Sequence, residues 1–145
     1  MGDKRRYFYV SEENEFMREA KKVAESKSLD REWPTGVVVV KNGSIVGRGA
    51  NGSEYHLQHG CERKRLGVPT GERYDLCEGC DPKNHGEPRA IRDAGDARGA
   101  DVYMWGHWWC CEPCWEKMID AGINKVYLMK GIYERFSQNR NFRAD

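Results

Sequence analysis

Residues 36–49 read Gly36-Val37-Val38-Val39-Val40-Lys41-Asn42-Gly43-Ser44-Ile45-Val46-Gly47-Arg48-Gly49, and this stretch decides the fold. Four consecutive valines are apolar on both alternating faces, as in a strand buried on both sides rather than one with a wet face. Asn42-Gly43 supplies the backbone that a two-residue hairpin turn wants, so Ser44–Gly49 is expected to return antiparallel beside Gly36–Lys41. A strand buried on both faces needs a layer over each, and the flanking sequence offers helices for them.

Upstream, residues 11–28 read as an amphipathic helix. Ser11 is placed to cap it, Glu12 and Glu13 suit its positive N-terminal end, and Phe16, Ala20, Val23 and Ala24 share one face. Downstream, Glu87–Ala94 is helical in pattern, with Pro88 tolerated in the first turn, where its missing N–H is no loss. Val102–Trp105 reads as a strand, Glu112–Ala121 as a helix ended by Gly122, and Lys125–Met129 as a strand. Helix, hairpin, helix, strand, helix, strand is an α/β order. It predicts a central mixed sheet with helices on both faces, the later strands parallel where helices cross over. A chain of 145 residues suits one domain over 1–145. Ile132, Tyr133, Phe136 and Phe142 are the few apolar anchors of the tail after Gly131.

Lys and Arg number 24 against 23 Asp and Glu, so the net charge of +1 gives no general pull toward nucleic acid or an anionic membrane. The clusters Lys4-Arg5-Arg6 and Arg63-Lys64-Arg65 read first as solvated faces. No apolar run approaches the ~18 residues of a membrane span, and no apolar signal region follows the basic start. A soluble, cytoplasmic protein is the expectation. Four of the six cysteines fall in two C-x-x-C pairs near histidines, which suits a reducing compartment and metal ligation better than disulfides.

His85-Gly86-Glu87 is followed, 26 residues after the histidine, by Cys111-Glu112-Pro113-Cys114, and each half sits where a helix should begin. One histidine and two cysteines can hold a zinc ion with a fourth position open to water, the pattern of a catalytic site, while Glu87 is left free for proton work. Cys111 and Cys114 are one helical turn apart, so both sulfurs face the same way at a helix start that stabilises thiolates. Trp108 and Trp109, just ahead of them, are candidates to stack on a base or to pack the core.

Residues 51–84 show little apolar periodicity, and a loop that long calls for a function or a cross-link. Cys61, Cys77 and Cys80, with a histidine just upstream, have the makings of a closed tetrahedral zinc site in an insertion over about 53–84. His56 and His59 compete for the fourth position; His56 is preferred because it is better separated from Cys61.

Over roughly residues 36–130 the sequence resembles the zinc-dependent cytidine and deoxycytidylate deaminase superfamily, whose H-x-E and P-C-x-x-C signature matches both halves of the site. The resemblance also takes in the Val-rich hairpin ending in Asn51-Gly52, the segments Cys61–Gly67 and Gly71–Cys77, and Ala121-Gly122-Ile123. It is nearest to the deoxycytidylate branch, which often carries an extra zinc in the 53–84 region. It implies the three-layer cytidine-deaminase-like sandwich and a catalytic zinc on His85, Cys111 and Cys114. It further implies attack of a zinc-activated water on C4 of a cytosine ring, and Glu87 as the shuttle that moves its proton to N3 and then to the departing amine. Asn51 is implied to contact the sugar; Gly86, Trp108 and Trp109, from their positions in the signature, are further candidate substrate contacts. A small nucleotide or nucleoside is the implied partner, in a homo-oligomer for which Trp33, Trp105 and Trp115 offer aromatic surface. The sequence departs from the family pattern at Cys110 (usually proline), Gly86 (usually alanine) and Arg89 (often asparagine in the deoxycytidylate branch). Two other readings stand beside this one: a deaminase of another nucleoside, a free base or a nucleic-acid base, and a non-catalytic zinc-stabilised nucleotide-binding module.

Overall fold

A computed structural model describes residues 6–30, 33–68 and 72–136. Lys4, Arg5, Gly71 and Phe142, named above, lie outside the described residues. The elements are β1 (Tyr7–Val10), α1 (Glu15–Lys27), β2 (Gly36–Lys41), β3 (Ser44–Ala50), α2 (Glu54–His59), α3 (Glu62–Arg65), α4 (Gly86–Ala94), β4 (Asp101–Trp105), α5 (Glu112–Asp120), β5 (Lys125–Met129) and α6 (Ile132–Phe136). The five strands form one mixed sheet in the order β1-β5-β4-β2-β3. The β2–β3 hairpin is antiparallel and closes at Asn42 and Gly43, both at positive φ (54° and 79°), as the turn requires. Val39 pairs with Gly47 and Val40 with Ile45, so Val46 bulges from β3. β2 also runs antiparallel to β4, whereas β4–β5 and β1–β5 are parallel.

Val37, Val38, Val39 and Val40 are all buried because both faces of β2 are covered. On one face α1 comes so close that a Cβ on Gly36 would lie 2.1 Å from the Ala20 carbonyl oxygen. On the other, α4 packs on β3 and β2, and a Cβ on Gly49 would lie 2.4 Å from the Ala90 nitrogen. α5 packs beside α4. Met17, Ala20, Val23 and Ala24 form the buried face of α1, with Phe16 half-buried against Tyr103.

The sequence misplaces one cap and misses three kinds of element. Asn14, not Ser11, caps α1: its side chain accepts from the Phe16 and Met17 amides, while Ser11 serves the preceding turn by accepting from Glu13 N–H. β1 has only four residues and a parallel partner more than 100 residues away, so nothing local announces it. Residues 51–84 are not structureless either. They hold α2, α3 and three single 3-10 turns at Tyr74–Leu76, Glu78–Cys80 and Pro82–Asn84, each too short for a periodic pattern. α6 docks through buried Ile132 and through Arg135, which reaches Glu12 at 2.8 Å. Among the described residues no helix is long and apolar enough to cross a membrane.

The close approach of α1 to β2 is testable. Gly36→Ala drives a methyl into the α1 backbone and is expected to cost about 3 kcal/mol of stability in urea denaturation, with far-UV dichroism retained. A cost under about 0.5 kcal/mol would mean that α1 has room to move away.

Candidate metal centre and active site

Both halves of the signature sit at helix starts. His85 is the N-cap residue of α4 and Glu87 lies in its first turn; Cys111 is the N-cap residue of α5 and Cys114 lies in its first turn. The parallel β4–α5–β5 crossover puts the start of α5 at the C-terminal end of β4, and the packing of α4 against α5 brings the two starts together. The result is a triangle: His85 Nδ1 to Cys114 Sγ 3.3 Å, His85 Nδ1 to Cys111 Sγ 3.4 Å, and Cys111 Sγ to Cys114 Sγ 3.2 Å. The other ring nitrogen, Nε2, lies 2.9 Å from the Cys80 carbonyl oxygen.

The donor set fits zinc. A tetrahedral ion with Zn–S bonds of about 2.3 Å spaces its sulfurs about 3.8 Å apart, so the pair at 3.2 Å would open by a fraction of an ångström to take it, and three ligands leave one position open. A histidine whose second nitrogen is anchored to a backbone carbonyl is the usual outer arrangement of such sites. The hydrogen bond from Cys114, working against the cost of burial and joined by His85, lowers the Cys111 pKa, so the triangle holds a thiolate.

A second group stands alongside. His56, Cys61, Cys77 and Cys80 are all buried, and their four ligand atoms lie within 4.8 Å of one another. His56 Nε2 is 3.2 Å from Cys77 Sγ and 3.6 Å from Cys80 Sγ, and Cys61 and Cys80 are 3.5 Å apart. His56 Nδ1 makes no hydrogen bond and faces the Asp30 carboxylate at 3.6 Å, the carboxylate–histidine pairing that orients a metal-ligating imidazole. Gly79 lets the turn close: a Cβ there would lie 2.4 Å from the His56 ring. His59 is exposed and packs on Tyr55, away from the group. All six cysteines of the chain are free thiols, five of them in the two groups.

Glu87 is 4% exposed. Burial raises its pKa above the ordinary carboxylate range, against the opposing pull of His85, and the buried Cys110 thiol hydrogen-bonds to it. It lines an open cleft together with His85, Cys111, Tyr74, His107 and Trp109. Gly86 and Asn51 also line this cleft; Trp108 does not. Trp108 instead stacks on His107 and meets Tyr133 edge-on, lining a separate surface cleft near Lys130–Glu134. Trp105 and Trp115 are buried in the core, and Trp33 lies half-buried with the Lys64 ammonium over its ring, so the aromatic surface expected for an interface is largely absorbed by the fold.

Asn51 is a staple before it is anything else. Its Oδ1 accepts from Ser28 Oγ (2.6 Å) and Thr35 N–H (2.9 Å), and its Nδ2 donates to the Trp33 carbonyl (3.0 Å), so one amide hydrogen remains beyond these bonds. Arg89 is likewise structural: it donates to the Ala50 carbonyl and to Asn84 Oδ1, pinning the end of β3 to the turn that leads into His85. Three contributors were hidden from the sequence. Tyr7 Oη accepts from Cys110 N–H (2.6 Å), fixing the residue before Cys111 from a strand with no local signal. Tyr74 lies edge-on to His85 at 5.1 Å. Arg63, in a cluster that reads as solvated, is buried: its guanidinium lies 4.7 Å from the Tyr74 ring centroid and donates to Cys80 Sγ at 3.4 Å.

The chain matches the cytidine and deoxycytidylate deaminase zinc-binding region over residues 10–130, and it belongs to that family. Among solved structures it is similar to the dCMP deaminase of the cyanophage S-TIM5 (21% identity, TM-score 0.50, 88% of this chain and 90% of that one). Guanine deaminase from Bacillus subtilis (18%, TM-score 0.50, 89% and 71%) shares the fold too, as does an A-to-I editing deaminase of the transfer-RNA wobble position (24%, TM-score 0.50, 83% and 79%). Among curated proteins it is similar to the tRNA-specific adenosine deaminase of Streptococcus pyogenes, 45% identical over 51 residues. That match covers 35% of this chain and about a third (32%) of the curated relative's length.

If Asn51 is chiefly a staple, Asn51→Ala removes three hydrogen bonds and is expected to cost about 3 kcal/mol in chemical denaturation of the protein. A stability loss below about 1 kcal/mol would assign the side chain to ligand contact alone.

Proposed function

We propose that the chain is a zinc-dependent hydrolytic deaminase that removes the amino group from the cytosine ring of a nucleotide of the dCMP type. One observation carries the reading: a buried carboxylate, Glu87, shares a cleft with a histidine and a cysteine that belong to a three-ligand zinc set. His85 Nδ1, Cys111 and Cys114 hold the ion. When bound, zinc lowers the pKa of a water toward ~7 and so supplies a nucleophile at neutral pH.

The remaining steps belong to the protein's own groups. Glu87, made a stronger base by burial, takes the proton of the attacking water and passes it to ring N3, then takes the remaining proton of the hydroxyl now on C4 and gives it to the amino group, which leaves as ammonia. Tyr74, His107 and Trp109 wall the cleft with rings that flank a planar base and exclude water. Asn51 offers its remaining amide hydrogen to the sugar. His56, Cys61, Cys77 and Cys80 hold a second, closed zinc that orders residues 53–84, a segment with little apolar core of its own; such a site contributes on the order of ten kcal/mol to folding. The protein acts in the cytoplasm as a single-domain chain in a homo-oligomer.

The stretch 45% identical to tRNA-specific adenosine deaminases supports a second reading, in which the target base lies within a nucleic acid. One panel separates the two. Ammonia release is followed with dCMP, CMP, cytidine, deoxycytidine, cytosine, a single-stranded oligonucleotide and a transfer RNA. Release from dCMP at the highest kcat/KM is expected; release from the polynucleotides alone establishes the second reading, and none from any substrate, with zinc bound, overturns both.

Glu87→Gln is expected to lower kcat at least about 100-fold while the zinc content stays unchanged. Elemental analysis is expected to find two zinc ions per wild-type chain.

A further inference from the structure

We infer that the four-residue group is a positioning device for the three-residue group, so that metal bound at His56, Cys61, Cys77 and Cys80 tightens metal binding at His85, Cys111 and Cys114. The inference rests on the two-zinc reading above. Its centre is Cys80, which takes part in both groups: its thiol faces Cys61 and His56, and its carbonyl oxygen faces His85 Nε2 at 2.9 Å.

That contact decides which face of the imidazole is a ligand. With the proton on Nε2 donated to Cys80, the Nδ1 lone pair is left for the metal, and the ring plane is set by the carbonyl. The carbonyl in turn is only as fixed as its own backbone. Among the described residues the apolar packing around Cys80 is thin, with Trp33, Tyr55 and Tyr74 against the three cysteines, so a cross-link through the thiols is what would hold this backbone.

The spacer from Cys80 to His85 is stiff enough to pass the position on. Asp81 Oδ1 accepts from Lys83 N–H (3.0 Å), Asp81 O from Asn84 N–H (2.8 Å) and Pro82 O from His85 N–H (3.1 Å). A second route runs through side chains. Arg63 donates to Cys80 Sγ and lies over Tyr74, whose ring meets His85 edge-on. Both routes start at one ligand of the four-residue group and end on one ligand of the other. Binding at the two is therefore linked, and the linkage is reciprocal.

The test uses the full-length zinc-loaded protein, wild type and Cys77→Ser. The variant removes one ligand of the four-residue group and leaves Cys80, Arg63, Tyr74 and His85 in place. Wild type is expected to carry two zinc ions and Cys77→Ser one. Competition with a chromophoric chelator is expected to show the remaining ion bound about 10- to 100-fold more weakly than the same site in wild type, and after cobalt replacement its d–d bands should shift. An unchanged affinity and unchanged bands, with two ions in wild type, overturn the coupling but leave the two-zinc reading intact. A single ion in wild type overturns that reading and the inference with it.

Should Cys77→Ser fail to fold, wild type stripped of metal and refilled stepwise with cobalt decides the matter. Thiolate-to-cobalt bands separate the three-thiolate site from the two-thiolate site. The three-thiolate bands are expected first, with the two-thiolate site filling more tightly once they are complete. Because the linkage is reciprocal, either order of filling must tighten the second site; independent filling, with no tightening of the second, overturns the proposal.

Discussion

The imidazole of His85 has two nitrogens, and the fold commits both: Nδ1 to the sulfurs of Cys111 and Cys114, Nε2 to the carbonyl of Cys80. A ring held at both edges cannot rotate without losing contacts, and much of the surrounding architecture serves to keep those two neighbours where they are. α5 delivers the cysteines because β4 and β5 are parallel and the crossover must begin at the C-terminal end of β4. Tyr7 reaches from β1 to hold Cys110, the last residue before the first cysteine. Arg89 and Asn84 tie the hairpin to the turn that precedes the histidine. Sheet, crossover and loop thus converge on one side chain, as expected where a site must be held to a fraction of an ångström.

Much of this was legible in the sequence, and the parts that were not share a cause. The valine run, the Asn42-Gly43 turn, the β4–α5–β5 run and the ligand spacings are local patterns, each written within a dozen residues. β1, the burial of Arg63 and the engagement of Asn51 are consequences of partners far along the chain. Arg63 looks like one of three solvated cations until Tyr74 and Cys80 are known to surround it. Asn51 looks available for a ligand until Ser28, Thr35 and Trp33 are seen to occupy most of its hydrogen-bonding capacity. Spacing favours His56 over His59, and the structure brings the His56 ring beside Cys77 and Cys80, with Gly79 leaving room for it, while His59 is exposed.

The departures from the family pattern now have physical settings. Gly86 sits so near β2 that a Cβ would lie 2.8 Å from Val37 Cγ2. Arg89 clamps the Ala50 carbonyl at the end of β3 and the Asn84 side chain next to His85. Cys110 places a thiol against the Glu87 carboxylate, where burial and that neighbouring charge push the thiol pKa well up and keep it protonated as a donor. Each change alters the packing around the ligands while leaving the ligands themselves untouched.

The bulge at Val46 has a consequence beyond the hairpin. β3 is an outer strand of the sheet, and an outer strand with a regular row of free amides invites another chain to pair with it. Here the extra residue breaks the hydrogen-bonding rhythm at mid-strand, and the Arg48 amide is taken by the Asp93 carboxylate of α4 at 2.9 Å. This margin is a poor template for strand addition, so the protein is shielded on that side from the edge-to-edge aggregation to which open sheets are prone.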